Sequence, residues 1–432
     1  MQFPVLAVLE RIVDRNTADI AAQLSRTVFV CVQHLLESTG SLLECLIRCG
    51  VPANQIYVQG KVYSTSPEVL ARVDSLGITV HGGTAPASLG QHSVAMKKDV
   101  DELWRCVLCE ERLRTADLLI VLDDGGHCIS GIPRAAYDYW RVVAIEQTTS
   151  GLQATHSRQC PVIAVASSAA KRLIEPPMIA AAILSKLKAV VPGGRIPQRC
   201  GVIGFGNIGA AVARSLVELR HQVYVFDIDK AQQNNSDELQ WLSSAEELIA
   251  ATDIIFGSTG KNVIEPEWLL KHLQGPKMLI SCSSGDVEFR SALDWIGYHD
   301  RKCHHPLGSI EFALSDGDPM LTIARGGFPV NFDRTPESVP AKEIQLTRGL
   351  MLGAVMQAVL CESDNEQRTS TREIMLNPVL QQFVVRQWLQ HSRHHSKDAI
   401  TTFFQHEAIR AMSSGQNVDC KTADEMFSNN DT

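Results

Sequence analysis

Cys200-Gly201-Val202-Ile203-Gly204-Phe205-Gly206-Asn207-Ile208-Gly209 is the stretch on which the reading of this chain turns. Gly201–Ile203 ends a short strand, three glycines follow in the spacing G-x-G-x-x-G, and Ala210–Leu219 carries a helical pattern with Val212, Leu216 and Leu219 on one face. Isolated, the glycine pattern says little. Between a strand and a helix each glycine has its own part to play. Gly204 permits the tight turn, Gly206 the close approach of backbone to a pyrophosphate, and Gly209 the close packing of helix on strand. The helix N-terminus adds unpaired N–H groups and a partial positive charge for phosphates. A second strand, Val223–Phe226, ends at Asp227, about 20 residues beyond the first glycine, where a carboxylate accepts both ribose hydroxyls. That carboxylate repels a 2′-phosphate and no Arg follows it, so the expected cofactor is NAD. Asn207 and Ile208 belong to the same turn. A further strand, Asp253–Phe256, leads into Ser258-Thr259-Gly260, a loop of the kind that lines the nicotinamide side of a doubly wound sheet.

Upstream, short β-rich runs alternate with helical patterns. Strands are expected at Thr27–Val32, Gln55–Val62, Ile78–His81, Leu118–Leu122, Val142–Ile145 and Val162–Val165. Helices are expected at Glu37–Cys49, closed by Gly50, and at Ser64–Leu76, with Ser66 as N-cap before Pro67. This alternation predicts an α/β fold of two doubly wound Rossmann-like domains with a cleft between them, and C-terminal helices returning to the first domain. The expected limits are 1–191 for a substrate-binding domain, 192–332 for the NAD-binding domain, 333–412 for the C-terminal helices or an oligomer contact, and 413–432 for a polar tail. The apolar helix Met178–Val191, ended by Pro192-Gly193-Gly194, places the first boundary.

Composition excludes several classes. The 432 residues are 45% hydrophobic and 20% charged, which rules out disordered, collagen-like and disulfide-scaffold chains. A net charge of -8 argues against nonspecific nucleic-acid binding. No run is long enough to span a membrane, and the start, broken by Glu10, lacks a basic segment, so a cytoplasmic protein is expected. The 12 cysteines, several inside apolar runs, read as buried thiols rather than disulfides. Cys106-Val107-Leu108-Cys109 has no second pair at zinc spacing, and Cys303-His304-His305 and His391…His394-His395 lack clear partners, so no metal site is expected.

In open α/β sheets ligands gather at the carboxyl ends of strands. There the chain places His34, Asp123-Asp124-Gly125-Gly126, Glu146-Gln147-Thr148-Thr149 and, further on, Lys171. Singly, each is equally well explained as a helix-start histidine, a turn cap or a solvated lysine.

At these residues the chain resembles adenosylhomocysteinase, the NAD-containing hydrolase of S-adenosylhomocysteine. The likeness runs from about Thr27 to about Met351. It covers the His34–Leu46 helix start, Asp123-Asp124-Gly125-Gly126, Glu146-Gln147-Thr148-Thr149-Ser150-Gly151, Pro161–Lys171, the glycine fingerprint, Ser258-Thr259-Gly260, Asp286-Val287-Glu288 and Val330-Asn331, in that order. The resemblance implies transient oxidation of a ribose-type hydroxyl by tightly bound NAD, followed by elimination and addition. It implies Lys171 at the hydroxyl, Asp124 in proton transfer, His34 near the 5′ substituent, Thr39, Gln147, Thr148 and Glu175 around the substrate, and Asn331 near the nicotinamide. It also implies a homo-oligomer, dimer or tetramer.

The departures fall mostly on groups that read adenine. Gln147 replaces a glutamate, Glu175 and Pro176 an Asp and an Asn, Leu36 and Ser38 a Thr and a Glu, and Ser284 a histidine; Ser338 lies near the place of another. The family's C-terminal Lys and Tyr have no counterpart in Asn417–Thr432. A changed nucleoside, sugar or thioether substrate is therefore expected, with hydrolysis, synthesis or epimerisation as outcomes. The alternatives are an NAD-dependent dehydrogenase that releases NADH and a catalytically silent, NAD-sensing relative.

Overall fold

The computed structural model describes residues 3–15, 18–154, 159–230, 238–268, 275–300, 304–313, 320–360, 373–392 and 397–413. Cys303, His394, His395 and the tail from residue 414 lie outside them. The chain divides into two units: Met1–Gly83, Met96–Glu175 and Arg334–Thr432 form the first, and Thr84–Ala95 with Pro176–Asp333 the second.

The first unit is built on β1 (Thr27–Gln33), β2 (Ile56–Gly60), β3 (Thr79–His81), β4 (Leu118–Asp123), β5 (Arg141–Glu146) and β6 (Val162–Ala164). The second holds β7 (Arg199–Ile203), β8 (Gln222–Phe226), β9 (Leu239–Trp241), β10 (Ile254–Gly257), β11 (Lys277–Ser281), β12 (Ile310–Phe312) and β13 (Leu321–Ile323). A last strand, β14 (Glu373–Met375), returns to the first unit and pairs in parallel with β6.

The first sheet has the order β14-β6-β5-β4-β1-β2-β3, with every pair parallel. The second has the order β12-β13-β11-β10-β7-β8-β9, with β12 antiparallel on its edge. Both are doubly wound, Rossmann-like sheets. In each, the first strand feeds a crossover to one side and then one to the other, so the strand order reverses at β1/β4 and at β7/β10. Those points are where ligands of such sheets bind. The strands at the first point are continuously apolar because both faces are covered: every residue of β1 and β4 is buried.

Helix Glu37–Arg48 ends at Cys49 and Gly50, whose φ of +106° suits only glycine. Helix Pro67–Ser75 opens with Ser66 accepting a hydrogen bond from Val69 N at 3.5 Å. One expectation needs correction. The helix read as starting at Met178 runs from Ala169 to Leu187 with Pro176 and Pro177 inside it. The prolines remove two donors without ending it, and the two units divide at Glu175/Pro176 rather than at Pro192. Helix Ala341–Leu360 and helix Pro378–Leu389 belong to the first unit.

None of the described helices is long and apolar enough to cross a membrane. The cysteines among the described residues are free thiols, and no group of three or more His, Cys, Asp or Glu there is placed to hold a metal.

Candidate functional site

The carboxyl ends of β1, β4 and β5 carry a buried polar network with Asp124 at its centre. Lys61 Nζ donates to Asp124 Oδ1 and Gln147 Nε2 to Oδ2. His34 Nε2 lies 3.4 Å from Oδ2. On the other side of the imidazole, Nδ1 lies 2.6 Å from Ser64 Oγ. Lys61, Asp124, His34 and Gln147 are all buried.

Charge explains the state of each group. Burial alone raises a carboxyl, but Lys61 and His34 outweigh it and hold Asp124 well below the usual carboxylate range. Burial pulls Lys61 down, yet the Asp124 carboxylate prevails and keeps it above an ordinary lysine. His34 is lowered, by burial first and by Lys61 and Arg348 as well, against the pull of Asp124. The arrangement is an ion pair beside a neutral imidazole. The Nε2 hydrogen is assigned toward the carboxylate, which leaves Nδ1 to accept from Ser64.

A second carboxylate shapes the turn that presents Asp124. Glu146 accepts from the backbone N–H groups of Gly125 (3.1 Å), Gly126 (2.9 Å) and Thr148 (2.7 Å), and from Thr148 Oγ1 (2.6 Å). Asp123 accepts from Asp124 N at 2.9 Å and Ile129 N at 2.8 Å. Gly125 and Gly126 have φ of +102° and +74°, left-handed values that let both N–H groups converge on Glu146.

Lys171 and Glu175 are one helical turn apart, with Nζ 2.5 Å from Oε2. The other carboxylate oxygen of Glu175 accepts from Thr347 Oγ1 at 2.6 Å. Thr39 lies buried in the first turn of helix Glu37–Arg48.

Of the residues singled out in the sequence, His34, Asp124 and Gln147 join one network. Lys171 and Glu175 form a neighbouring pair, and Thr148 turns instead to Glu146. Lys61, Gln33, Ser64, Thr347 and Arg348 were missed. Lys61 stands just past the end of β2, where the strand-end rule would have found it had the strand not been drawn on to Val62. Arg348 is the one charge between Glu343 and Leu360, in a stretch whose other polar side chains are the neutral Gln345, Thr347 and Gln357, a signal that a packing role leaves unexplained.

The network predicts an acid sensitivity. His127, whose ring lies against Gly125, is pushed down to about 4 by burial and Lys61. An unfolded imidazole titrates near 6.5, so the unfolded chain binds more protons in between. The stability His127 contributes is complete above about 6.5 and is lost as pH falls toward about 4. Asp123 and Glu146, both held above the usual range by burial, slope the other way. Comparison with His127→Gln isolates the imidazole: urea midpoints across this window should fall less steeply in the variant. Equal slopes would show that His127 contributes nothing.

In the second unit the fingerprint has the form its glycines require. Gly204 has φ of +93° and donates to Phe226 O at 2.9 Å. Gly206 caps helix Asn207–Glu218, and nothing lies within 4 Å of where its Cβ would be, so the space a pyrophosphate needs is open. A Cβ on Gly209 would stand 1.9 Å from Gly204 O. Asp227 Oδ2 accepts from Phe205 N at 2.5 Å and Oδ1 from Asp229 N at 2.7 Å, which fixes the carboxylate at the end of β8.

The loop after β10 is tied down by Glu288, which accepts from Thr259 N at 2.7 Å, Thr259 Oγ1 at 3.0 Å and Gly260 N at 2.5 Å. Ser258 N donates to Ile203 O at 2.8 Å, which seats the loop against the glycine turn. Asn331 is buried just past the bridge that joins Ser281 to Pro329. These residues fit NAD: an open glycine turn at a helix N-terminus for the pyrophosphate, and a strand-end carboxylate for the ribose.

Residues 193–265 match the NAD-binding domain family of the D-isomer specific 2-hydroxyacid dehydrogenases. An uncharacterised protein of Mycobacterium tuberculosis is 29% identical over 360 residues, which cover 82% of this chain and 68% of that protein. Among solved structures, NAD-dependent formate dehydrogenase from Staphylococcus aureus in complex with NAD is 16% identical, with 55% of this chain and 79% of that chain covered and a TM-score of 0.34. A dipicolinate synthase subunit from Bacillus halodurans is 13% identical, with 78% and 98% covered and a TM-score of 0.37. The second unit is a Rossmann-like NAD-binding domain.

Proposed function

We propose that this chain is an NAD-dependent oxidoreductase acting on a secondary hydroxyl of a small polar substrate of sugar or nucleoside type, held by the first unit. The observation that carries this reading is the Lys171–Glu175–Thr347 chain, a lysine paired with a carboxylate that is itself fixed by a hydroxyl. Gly204, Gly206, Gly209, Asp227 and the Ser258–Gly260 loop would hold NAD, which when bound takes up a hydride from a carbinol carbon. Lys171 would take the substrate hydroxyl proton at Nζ while passing one of its own to Glu175 Oε2, and Thr347 keeps that carboxylate in place. Asp124, ionised and engaged by three donors, is a poor base. In this reading it positions His34 and Lys61 instead of moving a proton itself.

A second reading has a specific observation in its favour. His34, Asp124 and Lys61 form another titratable group, which a net oxidation does not need. Elimination and addition, with the hydride returned to the substrate as the resemblance to adenosylhomocysteinase implies, does need one.

The test is to denature the purified protein, identify the dinucleotide released, and mix intact protein with a panel of nucleosides, sugars, sugar acids and thioethers while following NADH absorbance. Accumulating NADH supports the first reading, and a transient signal the second. If no compound changes the absorbance, or the protein neither retains nor binds NAD, both are overturned. Lys171→Ala is expected to lower the rate about a hundredfold to ten-thousandfold with its NAD content unchanged. An unaltered rate would remove Lys171 from the chemistry.

A further inference from the structure

Arg348 is a buried cation with no anion of its own. Lys61 is paired with Asp124 and Lys171 with Glu175. Arg348 instead gives Nε to Ser38 Oγ at 3.1 Å, and Nη1 to Gln33 Oε1 at 3.2 Å and Gln147 Oε1 at 3.4 Å, all neutral oxygens. Nη2 makes no hydrogen bond among the described residues. Arg348 is only 3% exposed, and a guanidinium stays charged at any ordinary pH. Asp124 and Glu175 attract it from beyond ion-pair distance, but each is already neutralised by a closer lysine. Burying a charge in this way is costly unless something compensates it.

A second observation lies in the helix turn that Arg348 touches. Ser38 and Thr39 occupy the first turn of helix Glu37–Arg48, whose N-terminus carries a partial positive charge. Thr39 Oγ1 is fully buried and has no hydrogen-bond partner among the described residues. The acid in that turn, Glu37, is engaged by Arg72 Nη1 at 2.8 Å. Glu37 N already donates to Pro336 O at 2.8 Å and Thr39 N to Leu36 O at 3.0 Å, so the helix end offers its partial charge more than free N–H groups. A guanidinium, that partial charge and a spare hydroxyl are together the parts of an anion site, and they lie at the carboxyl end of β1, beside the β1/β4 reversal. None of these residues belongs to the segment matched by the dehydrogenase family.

We propose that this corner binds an anionic group of the substrate, a carboxylate held by Arg348 and the first turn of helix Glu37–Arg48. The inference rests on the first unit being the substrate-binding unit, and it makes the substrate a hydroxylated acid instead of a neutral nucleoside. One uncompensated positive charge calls for a monoanion. A phosphate dianion would leave a buried negative charge unpaired.

The test uses the full chain loaded with NAD, and reads melting temperature at matched ionic strength with acetate, D-glucuronate, D-glucose or inorganic phosphate. Acetate and D-glucuronate are expected to raise the wild-type melting temperature, D-glucose to leave it unchanged, and phosphate to act more weakly than either carboxylate. Arg348→Met is expected to abolish the carboxylate effect. Arg348→Lys, which keeps the charge and loses the planar fork, should keep it with affinity about tenfold weaker. Should Arg348→Met fail to fold, Ser38→Ala and Arg348→Lys carry the comparison.

No stabilisation of the wild type by either carboxylate, or equal stabilisation of the Arg348 variants, overturns the proposal. Phosphate acting more strongly than the carboxylates overturns the choice of ligand. Reduction of NAD plays no part in this readout. Carboxylate binding without any NADH signal leaves this site standing and removes the redox reading, whereas NADH formation from neutral sugars alone does the reverse.

Discussion

Lys61→Met is expected to cost about 3–5 kcal/mol of unfolding free energy, the usual consequence of removing one partner from a buried ion pair. Lys61 and Asp124 are both almost completely enclosed. Without the ammonium, Asp124 keeps only Gln147 and His34 as donors and must take up a proton to stay buried. Asp124→Asn should cost a similar amount for the opposite reason, since it leaves an ammonium without its counter-charge. The double variant Lys61→Met, Asp124→Asn removes both charges together and should recover most of the loss, because the expense lies in the orphaned charge more than in the missing attraction. Urea unfolding of the two single variants and the double variant measures this directly. Losses that simply add would show that the two side chains do not act as a unit, and would remove Asp124 from the centre of the network.

Gly209→Ala should all but abolish NAD binding, with a loss of affinity of at least about a hundredfold. The added methyl would meet a backbone oxygen, that of Gly204, at 1.9 Å. No side chain can rotate away to relieve such an overlap, so helix Asn207–Glu218 has to move off the turn that presents the phosphate-binding N–H groups. Gly206→Ala is the informative contrast. Its φ of -67° suits any residue and its Cβ would point into open space, so the fold should be untouched while the methyl occupies room the pyrophosphate needs. Its affinity should fall by about tenfold with the melting temperature of the NAD-free protein unchanged. Calorimetric titration with NAD, beside thermal unfolding without it, separates the two. Equal affinities for wild type and Gly209→Ala would mean that the glycine turn does not bind the dinucleotide.

The proton chemistry proposed for Lys171 and the anchoring proposed for Asp124 divide the work between two carboxylates in opposite circumstances. Glu175 faces a lysine that is partly accessible, with about 14% of its side chain exposed, so its partner can reach a substrate. Asp124 faces a lysine that is enclosed, so its charge is spent on holding neighbours in place. The resemblance to adenosylhomocysteinase implied the reverse for Asp124, a part in proton transfer, because it carries no information on the enclosed lysine that neutralises this acid.

Local features were readable along the chain. The glycine turn, Asp227, the Ser66 cap and the Gly50 stop all lie within one crossover of the elements they serve, so spacing and residue type are enough to find them. The buried strands announced themselves as continuous apolar runs. What escaped was anything that depends on residues brought together from afar. Lys61 meets Asp124 across β1, and Arg348 reaches Ser38 from a helix some three hundred residues later. The short strand Glu373–Met375 shows no pattern of its own and exists as a strand through its pairing with Val162–Ala164. Helix Ala169–Leu187 runs through two prolines that local preference would have taken as its start. Order along a chain reveals backbone geometry and the residue types at strand ends, because those are short-range matters of sterics and hydrogen bonding. Which charges neutralise one another, and which cation is left to seek a ligand, follows from burial and Coulomb attraction between distant segments, and these exist only after the sheet has assembled.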